Sequence, residues 1–121
     1  MAEIHPDLRR ICDVALSLVG SKYTFLDFII IDGRRTIDEQ RLHVARGASK
    51  TMNSRHLHGY AVDFAAIVDG KIRWEPSYFK LIGAEFKNAA AKCRTPIKWG
   101  GDWKWKDWGH IELDRKRYPD P

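Results

Sequence analysis

Asp69–Gly70 separates two segments rich in β-branched and aromatic residues, Tyr60–Val68 and Lys71–Trp74. A two-residue Asp-Gly loop in that position predicts a hairpin, because its positive φ angles match the twist of paired strands. The chain is therefore expected to build an antiparallel sheet around this hairpin. One residue in the first strand is out of keeping with it. Asp63 stands between Val62 and Phe64, where an ionised carboxylate is costly unless it is paired, hydrogen-bonded or bound to a cation.

The flanking segments fit the same architecture. His5–Gly20 reads as a helix with Leu8, Ile11, Ala15 and Val19 as its apolar stripe, Pro6 and Asp7 in the first turn and Gly20 at the stop. Phe25–Asp32 reads as a strand, largely buried. Thr36 and Glu39 have the spacing of a capping box, which starts a second helix that Gly47 ends. Glu75–Cys93 reads as a third helix, with Phe79, Ile82, Phe86, Ala89, Ala90 and Cys93 on its inner face. Two short strands follow, Pro96–Gly101 and His110–Asp114, and residues 115–121 are expected to fray. Strands joined as hairpins more than through βαβ units predict an α+β fold, a small antiparallel sheet with flanking helices. With 121 residues, the chain is expected to form one domain spanning 1–121.

Composition narrows the partners. The net charge of +5 favours anionic ones, among them nucleic acid, acidic membrane and anionic cell-wall polymer, and it also serves plain solubility. Cys12 and Cys93 fall on apolar helix faces and read as buried thiols rather than a disulfide or a thiolate metal site. No secretion signal is recognisable in Met1–Arg10, and no run of about 18 apolar residues offers a membrane span.

Three strong metal-binding side chains, His56, His58 and Asp63, fall within eight residues. His56 and Asp63 are seven apart, and an odd separation in one strand puts side chains on opposite faces. They converge only if His56 precedes the strand, in a turn that Gly59 permits. His110, opening the last strand, is a candidate third ligand. Two histidines and a carboxylate with an open fourth position form a catalytic zinc arrangement. His58 competes with His56 for the first place. Alternatively, Asp63 is capped by an arginine or by backbone N–H groups. Asp107, three residues before His110, is a candidate base beside such a metal, and Trp103, Trp105 and Trp108 around it would raise its pKa. The tryptophans equally suit packing on the core or gripping a partner. Arg34 and Arg35 follow a strand directly, where an arginine can face a developing oxyanion or remain in a solvated turn.

The pattern S-x-H-x-x-G-x-A-x-D is met by Ser54, His56, Gly59, Ala61 and Asp63, and Trp99–His110 supplies a downstream W-G-G-D-W…D-W-G-H element. Gly33, Arg35, Thr36 and Gln40 match an upstream G-Y-R-S/T…Q element. With these three motifs in order, the chain resembles the zinc D-Ala-D-Ala carboxypeptidase and L-alanyl-D-glutamate endopeptidase family, which includes many phage endolysins. The resemblance implies a hedgehog/DD-peptidase-like fold and one catalytic zinc ion held by His56, Asp63 and His110, with His56 chosen over His58. It implies Asp107 as the base, Arg35 as the carbonyl-polarising cation, and Ser54 and Gln40 at the substrate. Trp103 and Trp108 are expected to line the cleft.

Two positions depart from the family pattern. Arg34 stands where the family usually carries an aromatic residue. The base is Asp where the carboxypeptidases carry Glu, which resembles the phage endopeptidase branch. The expected function is cleavage of the L-alanyl-D-glutamate bond in bacterial peptidoglycan during host lysis. A monomer is expected, made in the host cytoplasm, acting on the wall after membrane breach, and with neither nucleic-acid partner nor membrane insertion. The alternatives are a D,D-carboxypeptidase and a non-catalytic basic, Trp-rich binding module for wall glycan or nucleic acid, the latter with a closed structural zinc site that uses His58.

Overall fold

The computed structural model describes residues 4–33, 36–46 and 55–120. Their order is α1 (Pro6–Lys22), β1 (Leu26–Asp32), α2 (Ile37–Ala45), a 3-10 turn (Arg55–His58), β2 (Ala61–Val68), β3 (Lys71–Arg73), α3 (Pro76–Cys93), β4 (Ile97–Trp99), a second 3-10 turn (Gly100–Asp102) and β5 (His110–Leu113). The fold is α+β, with an antiparallel sheet and flanking helices, as the sequence predicts.

Asp69 and Gly70 take φ of 50° and 81°, the left-handed geometry that a tight hairpin needs. They return β2 into β3 with Ile67 opposite Ile72. The sheet runs β1-β2-β5-β4, with β3 also on β2. All pairings are antiparallel. The last strand in the chain is thus inserted between β2 and β4, and its register sets His110 directly opposite Asp63. On the other side of β2 a β-bulge lies between Ile30 and Asp32, and Asp32 pairs with Asp63. The β1 bulge and the β5 register therefore meet beside the same carboxylate.

Helices α1 and α3 cover one face of the sheet. Alternation along the strands turns Leu26, Phe28, Val62, Phe64, Ile111 and Leu113 toward the helices. Phe28, Phe64, Phe79 and Phe86 form the centre of this core, with ring centroids 5.1–5.7 Å apart. Cys12 is buried and Cys93 half-buried, both as free thiols, and burial pushes the Cys12 thiol up to about 12.

Three local expectations are corrected. The sequence predicts a largely buried β1, but β1 is an edge strand with one covered face, and Ile29 and Ile31 remain 45% and 52% exposed. Helix α1 passes Gly20 and ends at Lys22, because the Tyr23 N–H still reaches the Val19 carbonyl. The expected frayed tail is tied down through Asp120. Tyr118 donates its hydroxyl to Asp7 at 2.6 Å, and Arg55 reaches both the Tyr118 carbonyl and Asp120 at 2.7 Å. The expected capping box is present, with Thr36 Oγ1 accepting from Glu39 N and the Glu39 carboxylate accepting from Thr36 N. The predicted helix end at Gly47 lies outside the described residues. Among the described residues no helix is long and apolar enough to cross a membrane.

Candidate metal centre

The sheet face away from α1 and α3 carries the polar cluster that the sequence made conspicuous. His56 sits in the 3-10 turn before β2. Gly59, at φ 72°, then swings the chain into the strand, so His56 and Asp63 converge despite their odd separation. Cross-strand register brings His110 to the same carboxylate. One donor atom from each of His56, Asp63 and His110 lies within 4.8 Å of the others.

Each imidazole is oriented by a partner on its far side. His56 Nδ1 lies 2.7 Å from the Gly33 carbonyl. A carbonyl only accepts, so Nδ1 carries the proton and Nε2 turns to Asp63 Oδ2, 3.4 Å away. His110 is reversed. Its Nε2 lies 2.9 Å from Glu112 Oε1, and its Nδ1 lies 3.1 Å from Asp63 Oδ1. The inward-facing donors are thus His56 Nε2, the Asp63 carboxylate and His110 Nδ1. Burial alone would raise the Asp63 pKa, but its interactions with the His110 and His56 imidazoles outweigh it and hold the carboxyl well below its usual range. Burial likewise opposes charge on His110, yet its bonds to Asp63 and Glu112 prevail and push the imidazole up to about 9. A site so built concentrates negative charge around two imidazoles, and two nitrogens with one carboxylate oxygen are a donor set that zinc favours.

Asp107 completes the cluster from the loop before β5. Its carbonyl accepts from His110 N–H at 3.2 Å, and this turn brings its carboxylate to 4.0 Å from His110 Nδ1. The loop is pinned from below: Asp107 N–H and Trp103 N–H both donate to the Gly100 carbonyl, and Trp99 Nε1 donates to the Trp108 carbonyl at 2.7 Å. The tryptophans do not bury Asp107 as expected. Its side chain is 58% exposed, Trp105 is 82% exposed, and Trp103 lies over His110 with centroids 5.0 Å apart. Trp108 does line a cleft of about 360 Å³ with Asp63 and Asp107, walled also by Ile31, Trp74 and Phe79.

Gln40, on α2, is fully buried. Arg34, Arg35 and Ser54 lie outside the described residues. His58 packs beside Tyr60 and is not part of the donor cluster, so the described residues supply no closed four-ligand site. Sequence reasoning missed Glu112 and Arg55, both buried beside the cluster. Glu112 was within reach: two residues after His110 in a strand, it must share His110's face.

An antiparallel sheet whose open face holds a His–Asp–His cluster that could hold a metal ion, an adjacent carboxylate and a cleft has the donor set and open side that metal-assisted hydrolysis requires. Comparison with known proteins narrows that chemistry. The family model described as phage L-alanyl-D-glutamate peptidase matches residues 1–121. The L-alanyl-D-glutamate peptidase of Escherichia phage T5 is 31% identical over 122 residues, covering 98% of this chain and 85% of that protein. The L-alanyl-D-glutamate peptidase of Listeria phage A118 is 34% identical over 95 residues, 77% of this chain and 32% of that protein. The crystal structure of Serratia marcescens L-Ala D-Glu endopeptidase ChiX superposes with a TM-score of 0.86 at 37% identity, covering 97% of this chain and 85% of that one. The chain belongs to the phage L-alanyl-D-glutamate peptidase family.

Proposed function

We propose that this chain is a zinc-dependent endolysin that hydrolyses the L-alanyl-D-glutamate bond of the peptidoglycan stem peptide. The observation that carries the reading is the convergence of His56, Asp63 and His110, with Asp107 4.0 Å from His110 Nδ1, in a member of this peptidase family. His56 Nε2, Asp63 and His110 Nδ1 are the residues that would hold zinc, which supplies Lewis acidity and lowers the pKa of water to about 7.

The chain's own groups account for the remaining chemistry. Asp107, exposed on the cleft, accepts a proton from the attacking water and returns it to the departing amine of D-glutamate. Gly33 and Glu112 hold the two imidazoles by their outer nitrogens, so that no ring rotation is needed during turnover. The cleft walled by Ile31, Trp74, Phe79 and Trp108 seats the peptide beside Asp107. Trp103 covers His110 and shields it from bulk water. Arg35 and Ser54 enter this reading through their place in the sequence motifs, Arg35 as the cation at the tetrahedral oxyanion. The basic surface suits an anionic wall, which the enzyme meets once the inner membrane is breached.

A mass-spectrometric digest of purified peptidoglycan tests the reading, run with and without chelator and alongside Asp107→Ala. New N-terminal D-glutamate is expected, lost with chelator, restored by zinc and absent for the variant. Release of free D-alanine instead would make the chain a D,D-carboxypeptidase. Undiminished cleavage in a metal-free preparation would remove the proposed mechanism altogether.

A further inference from the structure

His110 is held from behind by a buried ionic layer that the family motifs do not include. Its Nε2 meets Glu112 Oε1 at 2.9 Å, and Glu112 is 6% exposed. Arg55, 3% exposed, lies behind the carboxylate, with Nε 3.6 Å from Glu112 Oε2. Arg55 is itself fixed by the Leu113 carbonyl at 2.8 Å and by the Tyr118 carbonyl and Asp120 at 2.7 Å. Among the described residues, Arg55 Nε is a buried side-chain nitrogen without a hydrogen bond, and Glu112 is the charge that this edge of the guanidinium faces.

An isolated buried carboxylate would be costly, and a buried arginine equally so. Their presence together, directly behind a ligand-type histidine, is better explained by what they do to that histidine than by stability. We propose that Glu112 is the positioning residue of His110. It accepts the Nε2 proton, which fixes the tautomer, turns the Nδ1 lone pair into the cluster and strengthens it as a metal donor. Arg55, clamped by the Tyr118–Asp120 segment, holds the carboxylate in place. The general basis is that a carboxylate on the outer nitrogen of a ligating imidazole sets its orientation and basicity. This inference rests on the metal reading above.

Zinc affinity, measured by competition with a chromophoric chelator, and the visible absorption of the cobalt-substituted protein test it without reference to activity. The parent protein must first bind one zinc ion; a parent that binds none overturns the metal reading itself, independently of Glu112. Given binding, Glu112→Ala should weaken zinc affinity by about 10–100-fold and shift the cobalt absorption bands. Glu112→Gln, whose amide oxygen still accepts from Nε2, should restore the parental band positions and recover part of the affinity. Circular dichroism and melting of the metal-free proteins report whether each variant folds. If Glu112→Ala does not fold, the folded glutamine variant decides: roughly threefold or greater weakening supports the proposal. Folded variants with parental zinc affinity and unchanged cobalt bands would overturn it, and reduce Glu112 to a partner for Arg55.

Discussion

Asp107 and Gly100 are in direct backbone contact: the Asp107 N–H donates to the Gly100 carbonyl at 3.0 Å, and a Cβ on Gly100 would overlap the Asp107 carbonyl and crowd its Cβ at 2.9 Å. The absence of a side chain at residue 100 is therefore what lets the loop bring its carboxylate to His110. Gly100→Ala should push Asp107 outward by a fraction of an ångström to an ångström. Misplacement on that scale costs up to about 100-fold in rate. The expected outcome is a fall in kcat of about 10–100-fold with zinc content unchanged, checked by steady-state digestion of a soluble stem peptide and metal analysis. An unchanged kcat would show that Asp107 tolerates the shift, and would count against its role as the base.

Asp107→Asn removes the charge while keeping the shape. The three donor atoms are supplied by other residues, so zinc affinity should stay within a few-fold of the parent. Loss of the proton acceptor should lower kcat by about 100–10,000-fold. Parallel measurement of chelator competition and turnover separates the two effects. Equal loss of both would mean that Asp107 is a ligand rather than a base.

Gly83 lies under the Trp99 indole, whose ring carbons would come within 2.6–2.9 Å of an added Cβ. Trp99 is buried and hydrogen-bonded to the Trp108 carbonyl, so it has little room to give. Gly83→Ala is expected to destabilise the fold by about 1–3 kcal/mol through overpacking, despite the better helix propensity of alanine. Urea unfolding of the metal-free protein checks the sign. A gain in stability would show that the Trp99 loop can move away from α3.

The bond from Tyr118 to Asp7 predicts a pH-dependent contribution. That bond is the largest influence on Asp7 and holds its carboxyl below the usual value. A depressed carboxylate stabilises the fold above its unfolded pKa of about 3.9, and the contribution fades as pH falls through the folded value. Tyr118→Phe should therefore cost about 1 kcal/mol near neutral pH, with the gap to the parent closing below about pH 4. Melting temperatures across pH 3 to 7 make the comparison. A pH-independent gap would assign the loss to the hydroxyl's hydrogen bonding with Thr95 rather than to the Asp7 charge.

Much of this site was legible because local rules and long-range pairing agree. The Asp69–Gly70 turn, the capping box at Thr36 and the inner face of α3 each follow from short-range geometry, and each is present. Asp63 declared itself through its apolar neighbours, and the motif order pointed to His56 and His110. What stayed hidden depends on tertiary placement. The exposure of Ile29 and Ile31 follows from β1 lying at the sheet edge, which no periodicity in that segment reveals. The burial of Gln40 and the exposure of Asp107 depend on how α2 and the 100–109 loop dock. The tail looked free because its composition is polar, yet its polar groups are the partners that Arg55 requires.

The insertion of β5 between β2 and β4 has a consequence for the order in which a ribosome delivers this protein. A nascent chain that has emerged only through β4 possesses His56 and Asp63, but neither His110 nor Asp107, the acid proposed to move protons. It also lacks the strand that closes the sheet around them. On the proposed mechanism, hydrolysis is expected only after β5 has left the ribosome and paired between β2 and β4. A translation pause or premature stop before that point would yield an inert fragment rather than a half-active one.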